Sequence, residues 1–173
     1  MATRPPFENE AEFTEIVREH QAMVFSVALH FLGRRDLAEE LAQEVFIQLY
    51  QRLNTIQSPA HLKFWLRKVA AHRSIDLVRR ESGARWMSLE EAPELAGPPA
   101  VRDPILAEKL ARMLASLPPK ARMVVVLRYQ EDLELHEIAE TLDMPINTVK
   151  SSLQRSLALL RAKLARSAEG VRS

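Results

Sequence analysis

The stretch Asp132–Leu164 constrains the fold of this chain most, because it joins two helical patterns across a sharp break. The first helix is predicted from apolar residues at helical spacing, namely Leu135, Ile138, Ala139 and Leu142. Pro145 ends that pattern, since it has no N–H to donate and restricts Met144 to extended geometry. A second helix is predicted from Asn147 and Thr148, both suitable caps, with one apolar face formed by Val149, Leu153, Leu157, Leu160 and Leu164. Two helices crossing over a three-residue turn form a helix-turn-helix.

The residues that face outward from the second helix can contact DNA. Hydrogen bonds to phosphates and base edges are within the chemistry of Lys150, Ser151, Gln154 and Arg155. Between residues 138 and 166, the basic residues Lys150, Arg155, Arg161, Lys163 and Arg166 outnumber the acidic Glu140 and Asp143. The alternative is a helical hairpin with a solvated charged face. The charge balance favours DNA binding.

Length and composition limit the remaining possibilities. With 173 residues the chain can form one medium domain or two small ones. It contains no cysteine, which excludes disulfides and thiolate metal or redox sites. No apolar run approaches the ~20 residues that span a bilayer, and no signal-peptide core is visible, so no membrane insertion and a cytoplasmic location are expected.

The N-terminal region predicts two helices of different character. Helical spacing extends from about Glu10 to Leu32, where Gly33 provides a stop. Asp36 and Glu39 then resemble a capping box at the start of the second helix. Between Asp36 and Tyr50 there is no base and there are four acids: Asp36, Glu39, Glu40 and Glu44. This acidic face is either a solubilising surface, which composition alone favours, or a docking surface for a basic partner.

A strongly cationic helix is predicted next. Ser58 and Pro59 form a cap followed by proline at the first helical position, and the helix extends to about Glu81. Between residues 59 and 80 there is a single acid, Asp76, against six bases: Lys63, Arg67, Lys68, Arg73, Arg79 and Arg80. Such a helix attracts phosphate in a salt-dependent way. Phe64 or Trp65 could stack on an unpaired base, although core packing is favoured for Trp65.

The remaining pattern predicts an all-α fold of two small helical domains, 1–82 and 105–173, joined by a flexible linker at 83–104. The linker is rich in proline and glycine but includes Trp86, Met87 and Leu89, which favour partial docking. The second domain begins with a short helix whose apolar residues are Leu106, Leu110, Met113, Leu114 and Leu117. A further helix at 120–129 contains the apolar run Val124–Leu127, and the helix-turn-helix completes the domain.

Catalytic signatures are absent from the sequence. It has no glycine-rich phosphate loop, no metal-ligand spacing and no nucleophile motif. We therefore expect a protein that is not an enzyme and needs neither cofactor nor metal.

Two stretches resemble one family. DLAEELAQEVFIQLY followed by FWLRKVAAHRSIDLVRR is similar to the promoter-melting half of bacterial extracytoplasmic-function (ECF) sigma factors. LPPKARMVVVLRYQEDLELHEIAETLDMPINTVKSSLQRSLALLRAKL resembles their second half. The helix-turn-helix alone is common to many regulators, whereas the two stretches in this order are specific.

The resemblance implies roles for individual residues. RNA polymerase binding is implied for Glu40, Gln43 and Glu44. Recognition and melting of the minus-ten promoter element are implied for Lys63, Arg67, Lys68, His72, Arg73, Asp76, Arg79 and Arg80. Recognition of the minus-thirty-five element is implied for Asn147, Thr148, Lys150, Ser151, Gln154 and Arg155. The chain departs from the family pattern at Asp132 and Asp143, where glycine is common, so both aspartates are predicted in left-handed turns.

The expected function is that of a sigma factor, which binds core RNA polymerase and directs promoter recognition and transcription initiation. Its expected partners are core polymerase, promoter DNA as duplex and as melted single strand, and an anti-sigma factor. The alternative is a helix-turn-helix repressor or activator with an N-terminal sensor domain. The basic helix and the acidic helix argue against this alternative, because a sensor domain requires neither.

Overall fold

The computed structural model describes residues 10–84 and 103–170, and within these ranges every regular element is helical. The helices of the N-terminal half are α1 (Glu10–Leu32), α2 (Arg35–Arg52) and α3 (Pro59–Ala84), with a 3₁₀ turn at Leu53–Thr55. Those of the C-terminal half are α4 (Pro104–Ala115), α5 (Pro119–Tyr129), α6 (Leu135–Leu142) and α7 (Ile146–Glu169). The predicted all-α fold class is confirmed.

Local capping chemistry sets most of the helix ends. Gly33 adopts φ 67° and donates its N–H to the carbonyl of Leu29, which closes α1. The hydroxyl of Ser58 accepts the N–H of His61 at 3.1 Å, so the predicted cap of α3 is confirmed. Asp103 caps α4 in the same way, through the N–H of Ile105 at 3.0 Å.

The predicted cap of α2 is wrong. Helix α2 begins at Arg35 with Arg34 as its N-cap residue, and no side chain forms a capping hydrogen bond there. Asp36 lies in the first turn, where its carboxylate pairs with Arg34 at 2.6 Å. The hydrogen bond from Arg34 lowers the pKa of Asp36.

Helix α5 lies at the centre of the molecule and explains the apolar run of the sequence. It contacts α1, α3, α4, α6 and α7, so side chains on every side of it are covered. The residues Val124–Leu127 are all buried. The prediction of a helix rather than a strand is therefore confirmed, and its continuous hydrophobicity reflects burial on all faces.

The two halves pack against each other through one apolar core. Buried residues of α1, α2 and α3 form a single cluster with those of α5, α6 and α7. Arg122 of α5 supports this junction, because its guanidinium donates to the carbonyl of Phe31 at 3.2 Å and lies 4.8 Å from that ring. It also donates to the carbonyl of Ala115 at 2.9 Å.

Several sequence expectations are corrected at the edges of this core. In α4 the buried residues are Ala107, Ala111 and Met113, whereas Leu106 is exposed. Leu164 is exposed too. Among the described helices, α7 contacts only α4, α5 and α6. Helix α3 continues to Ala84, two residues into the predicted linker, and the predictions for Trp86, Met87 and Leu89 lie outside the described residues. None of the described helices is both long and apolar enough to cross a membrane.

Candidate nucleic-acid and polymerase interfaces

The helix-turn-helix is formed by α6 and α7, as predicted. Asp143 terminates α6 in the left-handed region at φ 52° and ψ 45°, and the N–H of Met144 reaches back to the carbonyl of Ala139 at 3.0 Å. Pro145 is the N-cap residue of α7. Asp132, before α6, also has φ 52°, so both predicted left-handed aspartates are confirmed.

The predicted reading face lies on the first three turns of α7. Its exposed members are Asn147, Thr148, Lys150, Gln154 and Arg155, and Ser151 is half-buried with its hydroxyl 3.2 Å from the carbonyl of Thr148. Val149, Ser152 and Ser156 are buried on the opposite side, where α7 meets α5 and α6. This geometry leaves one solvated polar surface on a helix held rigidly by its buried face.

The predicted caps of α7 are wrong. Helix α7 begins at Ile146, so Asn147 and Thr148 lie within its first turn. No side chain caps this end, because Pro145 occupies the N-cap position. The side chains of Asn147 and Thr148 are consequently exposed at the helix N-terminus, where polar groups can reach an anionic ligand.

The cationic helix α3 does not present its charges on one face. Lys63, Asp76, Arg79 and Arg80 are exposed, whereas Arg67, Lys68, His72 and Arg73 are half-buried. Of its cations, Arg67, Lys68 and Arg73 are therefore partly covered by neighbouring helices, whereas Lys63 faces solvent. Their surroundings differ, and each has a physical explanation.

Lys68 and His72 contact the end of α6. The Nζ of Lys68 lies 2.9 Å from a carboxylate oxygen of Asp143 and 5.7 Å from the Phe64 ring. The Nε2 of His72 lies 3.0 Å from the carbonyl of Thr141 and 3.5 Å from Asp143. The hydrogen bond from Lys68 lowers the pKa of Asp143, and nearby His72 lowers it further.

Glu131, in the loop between α5 and α6, lies near the cations Arg67 and Lys63 of α3. Burial raises the pKa of its carboxyl group, and a hydrogen bond with Ser26 together with the charges of Arg67, His30 and Lys63 opposes that rise. The Nε of Arg67 is buried and has no hydrogen-bond acceptor among the described residues. Arg67 is thus held between the two halves rather than in solvent.

Arg73 faces α2. Its guanidinium lies 2.8 Å from the carboxylate of Glu44 and 3.0 Å from the side-chain oxygen of Gln48. Glu44 has no basic residue near it in the sequence of α2, and its ion-pair partner lies 29 positions away. Sequence reasoning missed Gln48, and no local pattern links it to Arg73.

The acidic face of α2 is otherwise solvated. Glu40 and Gln43 are exposed, and the side chain of Glu44 is 51% exposed despite its ion pair. Ile47 shares this face, because positions 40, 43, 44 and 47 follow helical spacing, and it is 60% exposed. Sequence reasoning overlooked Ile47, although its place outside the buried stripe of Leu41, Val45 and Leu49 was a usable signal.

No group of three histidine or carboxylate residues within the described ranges is arranged to hold a metal ion. The polar clusters described above are ion pairs and hydrogen bonds between helices.

Comparisons with known proteins account for both halves. Residues 16–84 match the family described as Sigma-70 region 2, and residues 107–160 match Sigma-70, region 4. Two solved structures share the fold: CnrH in complex with the cytosolic domain of CnrY, and the sigma factor RpoE in complex with the anti-sigma factor NepR from Bartonella quintana. The first has a TM-score of 0.68 at 21% identity over 91% of this chain and 90% of that one. The second has a TM-score of 0.71 at 17% identity over 89% and 97%.

Sequence relatives place the chain in a family. The ECF RNA polymerase sigma factor SigE of Mycolicibacterium smegmatis is 34% identical over 158 residues, which cover 88% of this chain and 61% of that relative's length. The RNA polymerase sigma-E factor of Streptomyces coelicolor is 33% identical over 88% of this chain and 86% of the relative. The ECF RNA polymerase sigma factor SigW of Bacillus subtilis is 28% identical over 88% of each. With both sigma-70 regions in order and relatives matched over most of its length, the chain belongs to the ECF RNA polymerase sigma factors, which direct transcription initiation.

Proposed function

We propose that this sigma factor contacts core RNA polymerase through α2, the minus-ten element through α3 and the minus-thirty-five element through α7. The observation that carries the proposal is the α2–α3 pair, in which an exposed acidic face lies beside a cationic helix. The sensor domain of an ordinary helix-turn-helix regulator needs neither surface, so the regulator alternative is not favoured.

The polymerase-binding surface comprises Glu40, Gln43, Glu44 and the neighbouring Ile47. Carboxylates on an exposed helix face attract a basic partner over a distance and orient it. Ile47 adds an apolar contact at the edge of the acidic face, and apolar side chains surrounded by polar ones are typical of protein interfaces. The ion pair with Arg73 holds Glu44 in one position, which reduces the entropy lost on binding.

The surface for melted DNA lies on α3. Binding of a single strand requires cations along the backbone and aromatic side chains on which bases stack. Lys63, Arg79 and Arg80 are exposed cations, and Phe64 is half-buried beside Lys68. We assign Arg73 and the exposed Asp76 to the same surface as they stand. Arg67, Lys68 and His72 join it once their contacts with the C-terminal half are exchanged for DNA.

The reading surface for the upstream element lies on α7. Gln154 can form two hydrogen bonds with adenine, and Arg155 or Lys150 can contact guanine or a phosphate. Asn147, Thr148 and Ser151 at the start of the helix suit phosphate contacts. The exposure of this face in the free chain supports duplex binding without rearrangement of α7.

The partners follow from these surfaces and from the relatives. Core RNA polymerase and promoter DNA are the principal ones. RpoE of Bartonella quintana is in complex with the anti-sigma factor NepR and CnrH with CnrY, and we propose that an anti-sigma factor binds this chain as well. We infer a cytoplasmic protein without catalysis or cofactor of its own, since its polymerase and DNA partners are there. We also propose that residues 1–82 and 105–173 are separate domains with 83–104 as linker.

A binding measurement with core polymerase tests the central assignment. Among the described residues, neither Glu40 nor Gln43 forms an ion pair or side-chain hydrogen bond, so Glu40→Lys/Gln43→Ala leaves the fold intact. We expect this variant to bind core on the order of tenfold more weakly, because a buried charge mismatch costs at least ~1.4 kcal/mol. Glu19→Lys/Gln21→Ala on α1 makes the same chemical changes at exposed positions and should bind normally.

Run-off transcription with purified core polymerase on a genomic promoter library provides the functional readout. Wild type and the α1 control should initiate at the same promoters, and the α2 variant should initiate weakly at all of them. Equal core affinity for the α2 variant and the α1 control would refute the docking assignment.

A further inference from the structure

The loop between α5 and α6 is held in place by one arginine. This loop comprises residues 130–134, and it contains neither glycine nor proline but has three acids, Glu131, Asp132 and Glu134. We propose that Arg128, in the last turn of α5, is a positioning residue for recognition of the minus-thirty-five element, because it fixes the orientation in which α6 and α7 follow α5. The inference rests on the function proposed for α7, and its experiment separates the two.

The conformation of this loop is unfavourable by itself. Asp132 adopts φ 52°, a left-handed conformation that crowds any residue with a Cβ. Three carboxylates between residues 131 and 134 also repel one another. Both features favour other conformations of the loop, so contacts from outside the loop must select the observed one.

Arg128 and the backbone of α5 provide these contacts at Leu133. The Nη1 of Arg128 donates to the carbonyl of Leu133 at 2.8 Å and lies 3.4 Å from a carboxylate oxygen of Glu134. The N–H of Leu133 donates to the carbonyl of Leu127 at 3.1 Å, and the Leu133 side chain is buried. The peptide groups on both sides of Leu133 are therefore attached to α5, and one of these attachments depends on the Arg128 side chain.

The same contacts set the start of α6. Glu134 is the N-cap residue of α6, and the carboxylate of Glu137 accepts its backbone N–H at 2.8 Å. Helix α6 has 8 residues, so it is only about 12 Å long, and a change at its start shifts the whole helix. Because α7 packs against both α5 and α6, its reading face moves with them. A shift of about 1 Å is enough to take Gln154 or Arg155 out of hydrogen-bond range of a base edge.

A direct contact between Arg128 and a DNA phosphate is the alternative, and salt dependence distinguishes the two roles. The side chain is 34% exposed, but its Nη1 is already engaged within the protein. Loss of a phosphate contact weakens binding to all sequences alike and reduces the slope of log affinity against log salt by about 0.9. Loss of a positioning contact leaves that slope unchanged and weakens binding only to the preferred sequence.

Arg128→Met provides the test, because methionine keeps an apolar stem and loses every hydrogen-bond donor. Arg128→Lys restores a cation on a long stem that can donate to the same carbonyl. Arg112→Met is the matched control, since Arg112 pairs with Glu108 within α4 itself. Each protein is assembled with core polymerase, and its affinity is measured for the promoter fragment that gives most run-off product and for the same fragment with a scrambled minus-thirty-five element.

Wild type and Arg112→Met should prefer the intact element by the same ratio. We expect that ratio to fall roughly tenfold in Arg128→Met, the equivalent of about one base contact, with an unchanged salt slope. Arg128→Lys should recover most of the ratio.

The outcomes separate this inference from the function on which it rests. An undiminished ratio in Arg128→Met would overturn the inference and leave the function proposed for α7 in place. No preference for the intact element in wild type would refute that function and the inference with it. Equal losses on both fragments with a salt slope reduced by about 0.9 would assign Arg128 to a direct DNA contact and overturn its positioning role.

Hydrogen exchange in the full chain separates positioning from general stability. Peptides that cover residues 130–138 should exchange on the order of tenfold faster in Arg128→Met, whereas peptides from α1 and α2 should match wild type. Faster exchange throughout the chain would show that Arg128 only stabilises the fold. That result would overturn the positioning role even if the promoter ratio also fell.

Discussion

Asp132 and Asp143 adopt the same left-handed backbone conformation but differ in what their carboxylates contact. Asp143 pairs with Lys68, whereas Asp132 forms no such pair among the described residues. A left-handed conformation costs a residue with a Cβ about 1–2 kcal/mol relative to the right-handed one, and aspartate tolerates it better than most. The two positions therefore separate backbone strain from ion pairing.

Replacing each aspartate by glycine should stabilise the protein unequally. We expect Asp132→Gly to raise the free energy of unfolding by roughly 0.5–1 kcal/mol, because the relief of backbone strain exceeds the extra conformational entropy that glycine gives the unfolded chain. Asp143→Gly should gain less, since the contacts with Lys68 and His72 disappear. Urea denaturation at pH 7 measures both. A larger gain at Asp143 would contradict the stabilising role of its ion pair.

Lowering the pH should change the contributions of Asp143 and Glu131 to the free energy of unfolding in opposite directions. The folded-state pKa of Asp143 is lowered, first by Lys68 and further by His72 and Lys120. Its contribution to stability is therefore complete above the unfolded value near 3.8 and is lost as the pH falls through the lower folded value. The difference in unfolding free energy between wild type and Asp143→Asn should shrink in that window.

The pH dependence of stability expected from Glu131 has the opposite sign to that of Asp143. Burial raises its folded-state pKa above 4.5, against the effects of Ser26, Arg67, His30 and Lys63. The folded protein consequently binds this proton more readily than the unfolded chain does. The free-energy cost of keeping the buried carboxylate ionised is relieved as the pH falls from 7 through the raised pKa. Wild type should gain stability relative to Glu131→Gln over that interval. A constant difference between the two proteins across pH 7 to 4.5 would contradict this assignment.

At the scale of elements, α3 divides its charges among three surroundings. Lys68 and His72 face α6, Arg73 faces α2, and Arg79 and Arg80 remain exposed near the end of the helix. Lys68, His72 and Arg73 contact other helices, so mutating them would change both the stability of the fold and the proposed DNA binding. The outer pair offers a clean test of strand opening.

Arg79→Ala/Arg80→Ala should retain helix content and core binding but reduce promoter melting. Each lost backbone contact weakens the hold on the separated strand without exposing any apolar surface. Permanganate reactivity around the start site measures melting, and a pre-melted bubble template should restore most of the transcription. Arg161→Ala/Arg166→Ala removes two exposed charges from α7 and serves as the control. An equally deep defect on bubble and duplex templates would assign α3 some other role.

For the whole molecule, the shared core couples the halves through Arg122. This residue is buried, donates to the carbonyls of Phe31 and Ala115, and lies over the Phe31 ring. Because the Phe31 carbonyl lies at the end of α1, the guanidinium ties a helix terminus of one half to the central helix of the other. Removing it leaves that carbonyl without its donor.

Arg122→Met should lower the free energy of unfolding by about 2–3 kcal/mol, as loss of a buried hydrogen-bonding group does. It should also loosen the coupling between the halves. We expect calorimetry to show one transition for wild type and a broadened or double transition for the variant. A uniform shift of a single sharp transition would mean that the two halves remain one cooperative unit without Arg122.

Much of the fold and part of the site could be predicted from the sequence by itself. Helix positions, the break at Pro145 and the left-handed aspartates depend on residues a few positions apart, and so does the exposure of Lys150 and Arg155 on α7. Periodicity, proline geometry and glycine preference act over that same range. The family resemblance also predicted the order of the two halves along the chain.

Only the tertiary structure decided which charges are available. Lys68 meets Asp143 across 75 residues, and Arg73 meets Glu44 across 29. Composition shows the sign of each charge but not its neighbour, because ion pairing depends on atoms brought within about 4 Å by packing. The central burial of α5 places the end of α6 against α3, and that placement brings Lys68 and His72 into contact with Asp143 and Thr141.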